Sequence, residues 1–114
     1  MARRRKGRPV SGWVNLDKDL NVSSAHAVNH LRRLYHAQKA GHAGTLDPLA
    51  TGILPVALGE ATKTVPYLMN AEKEYRFTVA WGVSTTTDDS EGEAVDHSDH
   101  RPLKADIIVA LSTF

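Results

Sequence analysis

The sequence predicts a single α+β domain in which helices flank a mixed β-sheet. Its 114 residues are enough for one domain and no more. Three stretches indicate this class: a helix-forming segment at residues 23–36, an apolar run at residues 53–58 and an alternating segment at residues 74–84. Because helical and strand periodicities both occur within one domain length, we expect helices and strands to share a core.

Three segments are predicted strands. Residues 11–16 contain the β-forming side chains Trp13 and Val14, and residues 53–58 are apolar enough to be buried. Residues 74–84 give the strongest strand signal, because alternate positions separate an apolar face from a polar one. The apolar row consists of Tyr75, Phe77, Val79, Trp81 and Val83.

Three further segments are predicted helices. Ser23 or Ser24 is a suitable N-cap for a helix that runs to about His36. Its apolar face is formed by Val28, Leu31, Leu34 and Tyr35. A short helix is expected at residues 59–69, and another at residues 102–114. The last helix has an apolar stripe and reaches the end of the chain without a C-cap, which predicts that the chain is cut short.

The composition excludes several classes of protein. The hydrophobic fraction of 41% and the charged fraction of 24% are typical of a soluble globular protein. The absence of cysteine excludes disulfides, thiolate zinc sites and a cysteine nucleophile, and it fits the cytoplasm. No segment approaches the roughly 18 apolar residues of a membrane span, so we expect no membrane partner. The basic N-terminus lacks the apolar region of a secretory signal.

Charge is distributed unevenly along the chain, although the net charge is only +1. Residues 1–10 are predicted to form a flexible basic arm, which suits a polyanion such as RNA and equally suits a solubilising tail. Its cations are Arg3, Arg4, Arg5, Lys6 and Arg8. Six of the thirteen acids fall within residues 88–99, but the glycine and terminal glutamate of a calcium loop are missing there. We expect an exposed connection.

The first predicted helix carries two histidines four residues apart. His26 and His30 have the spacing of a metal-binding pair. No glutamate follows the first histidine and no third ligand is evident, so we expect no metal. A polar face that meets phosphate is the better interpretation, with Arg32 and Arg33 beside the histidines.

The unusual chemistry is concentrated at residues 41–56, which hold three glycines, two prolines, one histidine and the single acid Asp47. Loops between rigid elements are where reactive groups are usually placed. Glycine and proline clusters also mark ordinary turns, and an aspartate before proline often starts one. Spacing alone leaves both interpretations open.

Several motifs in series resemble the TruB family of bacterial tRNA pseudouridine-55 synthases, over about residues 11–114. The family signature is matched by residues 44–54, GTLDPLATGIL. Other blocks match in order: GWVNLDK at 12–18 followed by Ser23 and Ser24, GEATK at 59–63, KEY at 73–75, and the pattern of Gly82, Thr85, Thr87, Asp89 and Gly92. The resemblance implies the pseudouridine synthase fold, with a mainly antiparallel sheet, present only in part.

The chain departs from the family pattern in two ways. After Lys18 the family usually has proline and then glycine, whereas this chain has Asp19 and Asn21. Family members also continue into a second half of the catalytic domain and usually a small C-terminal RNA-binding domain. We therefore expect residues 11–114 to be the N-terminal portion of the catalytic domain. An arginine partner and an apolar base-packing residue are expected beyond Phe114.

The resemblance implies a role for individual residues. Asp47 is expected to be catalytic, as nucleophile or as base at the sugar, and Tyr75 to stack on the extruded uracil. His42 is expected to fill the space opened in the RNA loop, or else to cap a turn. Lys18 and Lys63 are expected to contact phosphate or to be structural. The loop itself is expected to be shaped by Gly44, Thr45, Leu46, Pro48 and Gly52.

The implied function is the conversion of a uridine at position 55, in the T-arm of tRNA, to pseudouridine. No cofactor and no metal are expected, and the full-length protein is expected to be a monomer. Two alternatives stay open: an inactive RNA-binding fragment, and a related synthase that acts on another RNA.

Overall fold

The chain divides into two units, Met1–Lys73 and Glu74–Phe114, where the sequence predicts one domain. A computed structural model describes residues 6–114, and each unit is described here by itself. Residues 1–5 of the predicted basic arm lie outside the described residues. Among the remaining residues of that arm, the backbone of Arg8 is hydrogen-bonded to His36 and Gln38.

The first unit is built on a three-stranded antiparallel sheet in the order β1-β3-β2. Its strands are β1 (Gly12–Lys18), β2 (Ala40–His42) and β3 (Gly52–Leu58). The predicted strands at residues 11–16 and 53–58 are confirmed as β1 and β3. β3 is the central strand, and four residues of its apolar run are buried, namely Leu54, Val56, Ala57 and Leu58.

The core lies between this sheet and helix α1 (Ser24–Leu34). Ala27, Val28 and Leu31 pack from the helix against the buried side chains of β3, which are Leu54, Val56 and Leu58. Ser23 is the N-cap of the two serines considered, because its hydroxyl accepts a hydrogen bond from the His26 amide at 3.1 Å.

The helix ends earlier than predicted. Its C-cap is Tyr35, and His36 adopts a left-handed conformation with φ of 51°. Leu34 and Tyr35 were predicted on the apolar face, but they are exposed. Leu34 is 69% and Tyr35 is 42% exposed, so neither belongs to the core, which the chain rejoins at Ala37.

A 3-10 helix (Gly59–Thr64) and the short helix α2 (Val65–Met69) follow β3 and complete the first unit. The helix predicted at residues 59–69 is therefore present, with its first half wound more tightly. Pro66 lies in the first turn of α2, where a missing amide hydrogen has no consequence.

The second unit contains a two-stranded antiparallel ribbon, β4 (Val83–Thr85) and β5 (Ala94–His97), followed by helix α3 (Lys104–Leu111). The connection between the strands is exposed, as predicted. Within it, the Thr87 hydroxyl and then the Glu91 amide donate to Asp89 and lower the pKa of that carboxyl below its ordinary value.

The long strand predicted at residues 74–84 is wrong in extent, since strand structure begins only at Val83. A strand needs a partner for its amides and carbonyls, and residues 74–82 pair with no strand in the described part of the chain. The apolar row is exposed: Tyr75 is 58% and Phe77 is 81% exposed.

The central position of β3 makes a testable prediction about stability. Leu54 is 1% exposed, whereas its neighbour Ile53 is 57% exposed. Leu54→Ala should lower the free energy of unfolding by about 2–5 kcal/mol, because it leaves a cavity between α1 and the sheet. Ile53→Ala is the matched control and should cost less than about 1 kcal/mol. Equal losses in urea denaturation would contradict this account of the core.

Candidate active site

Asp47 lies in the loop that joins β2 to β3. The two strands form a hairpin in which His42 is opposite Val56, and the Ala43 amide donates to the Pro55 carbonyl at 3.0 Å. The Ala50 amide closes a turn by donating to the Asp47 carbonyl at 2.9 Å. The acid therefore sits on a loop between two strands of one sheet, and not between a helix and a strand as the sequence suggested.

The residue before Asp47 is held by a serine of α1. The Ser24 hydroxyl donates to the Leu46 carbonyl at 2.8 Å and accepts from the Leu46 amide at 2.9 Å. Ser24 is only 4% exposed, so this pair of bonds forms away from water. A single side chain thus satisfies both backbone groups of Leu46 across 22 positions of sequence.

The residue after Asp47 is held by the connection between β1 and α1. The Asn21 amide donates to the Pro48 carbonyl at 2.7 Å. The Lys18 ammonium donates to the same carbonyl at 3.5 Å, and to the carbonyls of Asp19 at 2.9 Å and Val22 at 2.6 Å. The backbone on both sides of Asp47 is therefore hydrogen-bonded to the segment of residues 18–24.

Lys18 makes the contacts that a structural role requires. Its side chain is buried, with 2% exposure, and three carbonyls satisfy its three donor positions. A buried ammonium requires such partners, because burying it without them is costly. The predicted phosphate contact of Lys18 stays a prediction; in this structure its ammonium is bonded to backbone carbonyls.

The departure of this chain from the family pattern is accommodated at Asn21. Its φ of 62° is in the left-handed region, which asparagine tolerates better than most residues other than glycine. The usual family glycine is thus replaced by a residue that keeps the same backbone conformation available. The turn after Lys18 retains a shape that directs the Asn21 amide to Pro48.

The carboxylate of Asp47 is exposed between these two held residues. Among residues 6–114, no hydrogen bond or ion pair engages its oxygens. The backbone on either side of Asp47 is held by hydrogen bonds, while its carboxylate is exposed to solvent. This arrangement leaves both oxygens accessible to a substrate.

His42 is directed at the same loop. Its Nδ1 donates to the Gly44 carbonyl, so the turn-capping role that the sequence left open is present. This bond leaves the Nε2 atom as the acceptor of the neutral ring. The predicted RNA contact of His42 stays a prediction.

The other side of the loop contacts the segment after α2. Gly44 has a φ of 80°, and its amide approaches the Met69 sulfur at 2.9 Å. A Cβ at this position would lie 3.3 Å from Cε of Lys73, whose ammonium donates to the Met69 carbonyl at 2.7 Å. Glycine at position 44 therefore permits both the left-handed conformation and this close packing.

The predicted site residues Lys63 and Tyr75 lie outside the Asp47 loop. Lys63 is exposed and pairs with Glu60 at 2.5 Å on the 3-10 helix. Tyr75 belongs to the second unit and is exposed. Their roles in binding RNA stay predictions. Thr45, Leu46, Pro48 and Gly52 all lie within the loop or at its junction with β3, as the motif implies.

His26 and His30 line a cavity of about 230 Å³ together with Asp17 and Asp19. Its floor is apolar and includes Leu31. In the part of the chain that the structure describes, no group of three or more histidine, cysteine or acidic residues is arranged to hold a metal ion. No helix among residues 6–114 has the length and apolar character needed to cross a membrane.

Sequence reasoning missed two residues that shape the site. The sequence indicates Ser24 only as a candidate helix cap and as part of a motif, and Lys73 only as part of a motif. A helix cap needs only one hydroxyl. A second serine directly after the N-cap serine is therefore the sequence signal that could have indicated another role for Ser24. For Lys73 the sequence offers no comparable signal.

The fold and the site define an α+β domain that presents one accessible acid on a loop held by its own sheet and first helix. Residues 32–114 match the family model described as TruB family pseudouridylate synthase (N terminal domain). The chain belongs to this family.

Relatives match over nearly the whole chain. The chain is 62% identical over 114 residues to tRNA pseudouridine synthase B of Caulobacter sp. (strain K31), and covers 37% of that protein. It is 58% identical over 116 residues to the protein of the same name from Brucella anthropi, of which it covers 36%. With the protein of the same name from Agrobacterium fabrum, it shares 62% identity over 100 residues, or 32% of that protein. The chain thus spans about a third of the length of these relatives.

The bonds to Leu46 make a prediction that separates the two serines. Ser24→Ala should lower the free energy of unfolding by about 1–3 kcal/mol, because two backbone groups lose their partner. It should also speed chymotrypsin cleavage within residues 43–51. Ser23→Ala is the matched control: it removes the helix cap, at about 1 kcal/mol, and should leave the loop as resistant as before. If both variants expose the loop equally, Ser24 does not hold it.

Proposed function

We propose that this chain is the N-terminal part of an enzyme that converts a uridine in tRNA to pseudouridine, at position 55 in the T-arm. The observation that carries the proposal is the accessible carboxylate of Asp47, in a family signature loop whose neighbouring residues Leu46 and Pro48 are both held. Family membership and the names of the relatives support the same reaction.

The reaction breaks the bond between N1 of uracil and C1′ of the ribose, rotates the base and joins C5 to C1′. The C5 proton is then lost, while N1 gains one, so the product is an isomer of the substrate. Neither oxidation nor an energy source is involved. Asp47 would act as a nucleophile or as a base at the sugar, and both roles need an accessible oxygen on a fixed backbone.

The target uridine has to leave its stack before an acid can reach it, at a cost of a few kcal/mol. Tyr75 would receive the extruded uracil against its ring, which is 58% exposed. His42 would occupy the space that the nucleotide leaves, with Nε2 free to accept a hydrogen bond. Lys63 would contact phosphate once its exposed pairing with Glu60 is released.

The arginine that pairs with the catalytic carboxylate in the family, and the apolar residue that covers the base, would come from residues beyond Phe114. Among residues 6–114, no cation is paired with the Asp47 carboxylate. This supports a second candidate function for the 114-residue chain, namely RNA binding without catalysis. The open surroundings of the Asp47 carboxylate are the observation that favours it.

One assay tests the first candidate and separates it from the second. An unmodified tRNA carrying tritium at C5 of its uridines is incubated with the chain, and tritium released to water is counted. Turnover should fall about a thousandfold or more in Asp47→Asn, because the variant keeps the shape of the side chain and loses its charge. Binding of tRNA should be unchanged.

The matched control is Asp17→Asn, which removes an exposed acid from the end of β1 and should leave turnover unchanged. Turnover that survives in Asp47→Asn would contradict the assignment of Asp47. Binding without any release from the wild-type chain would favour the RNA-binding candidate for these 114 residues.

A further inference from the structure

A long stretch of the first unit carries no acid. Between residues 20 and 46 there is no aspartate or glutamate, while Arg32, Arg33 and Lys39 and four of the six histidines fall there. Arg32 and Arg33 are exposed in the last turn of α1. The helix dipole favours cations at the C-terminal end of a helix, which accounts for Arg32 and Arg33.

The N-terminal segment brings further cations to the same end of α1. The Arg8 amide donates to the His36 carbonyl at 2.6 Å, and the Gln38 amide donates to the Arg8 carbonyl at 3.1 Å. Arg8 forms a parallel bridge with Ala37, which is 4% exposed and belongs to the core. The helix dipole does not explain why the N-terminal segment lies here, because backbone hydrogen bonds, and not charged side chains, attach it.

Gly7 is required for the attachment. Its φ is 107°, and a Cβ there would lie 2.9 Å from the carbonyl carbon and oxygen of Ala37. Other residues are strained at this φ, and the contact with backbone leaves no room for a side chain. The Gln38 side chain adds a hydrogen bond to the Gly7 carbonyl at 3.3 Å. The segment is therefore seated against the end of α1 by a fitted contact.

Together these two segments form what we call the α1 basic surface: Lys6, Arg8, Arg32, Arg33, His36 and Lys39. Within residues 6–114 the ion pairs are Lys63 with Glu60 and Arg76 with Glu74, so no acid is paired with the lysine and arginine side chains of this surface. Tyr35, 42% exposed at the same end, offers a ring face for stacking.

We propose that the α1 basic surface binds the phosphate backbone of the tRNA substrate, outside the reacting uridine. Several unpaired cations on one surface attract a polyanion and release its counterions on binding. The identity of the RNA rests on the proposed function, but the binding itself requires no catalysis. The surface would hold the tRNA while the Asp47 loop meets the target nucleotide.

The test measures binding of a fluorescently labelled, unmodified tRNA transcript by anisotropy at several salt concentrations. The double variant Arg32→Gln and Arg33→Gln should bind about 3- to 10-fold more weakly near 0.1 M salt. The slope of log K against log salt should fall by about 1–2, because each lost phosphate contact releases fewer counterions. Lysine at both positions should restore most of the affinity, since a phosphate contact needs a charge.

Two controls separate a specific surface from net charge. Arg76→Gln with Lys104→Gln removes the same charge from the second unit and should change affinity less than about twofold. Gly7→Ala keeps every cation but unseats the N-terminal segment, so it should weaken binding with little change in melting temperature. Equal weakening by the Arg32/Arg33 and Arg76/Lys104 pairs would overturn the proposal.

The remaining outcomes also decide. Absence of tRNA binding by the wild-type chain at low salt would overturn the proposal. So would an Arg32/Arg33 variant that loses binding to vesicles containing phosphatidylserine but keeps its affinity for tRNA. If the wild-type chain binds tRNA through the α1 basic surface but releases no tritium, the proposed function of this chain is contradicted and the proposed role of the surface is supported. If the wild-type chain shows turnover and the Arg32/Arg33 variant binds tRNA with unchanged affinity, the proposed function is supported and the proposed role of the surface is contradicted.

Discussion

The loop that carries Asp47 depends on its attachment to the connection between β1 and α1. Ser24 binds both backbone groups of Leu46, and the Asn21 amide and the Lys18 ammonium bind the carbonyl of Pro48. Ser24 and Lys18 are buried, so losing the partner of either side chain costs more than it would at the surface, whereas Asn21 and Pro48 meet at an exposed position. Neither the sheet nor the helix alone fixes this loop. It is fixed because strand, turn and helix each contribute one group.

This attachment separates the structural requirements of the site from the chemical ones. Lys18, with its charge buried against carbonyls, is hydrogen-bonded to the loop at Pro48. Asp47 has the opposite arrangement, with a held backbone and an accessible carboxylate. A reactive group placed in advance loses little freedom when the substrate binds, which is how positioning lowers a reaction barrier. The same principle applies to Arg8, which a fitted backbone contact at Gly7 carries to the end of α1.

Much of the first unit could be predicted from the sequence, because its signals are local. The apolar run of β3 and the motif around Asp47 needed no knowledge of the rest of the fold. β2 was missed because three residues, Ala40–His42, contain no β-forming side chain, and only pairing with β3 makes them a strand. The role of Ser24 was missed because its partner is 22 residues away. The strand predicted from Glu74 failed for a related reason: alternation describes side chains, whereas a strand also needs a partner for its backbone.

The central claim is that the Asp47 loop is held before any RNA binds. Hydrogen–deuterium exchange at single backbone amides tests this most directly, in the wild-type chain without ligand. The account predicts that the Leu46 and Asn21 amides exchange slowly, at rates near those of the paired amides of β3, because each donates inside the attachment. Exchange of both amides at the rate of an exposed loop would contradict it, since the loop would then acquire its shape only on binding.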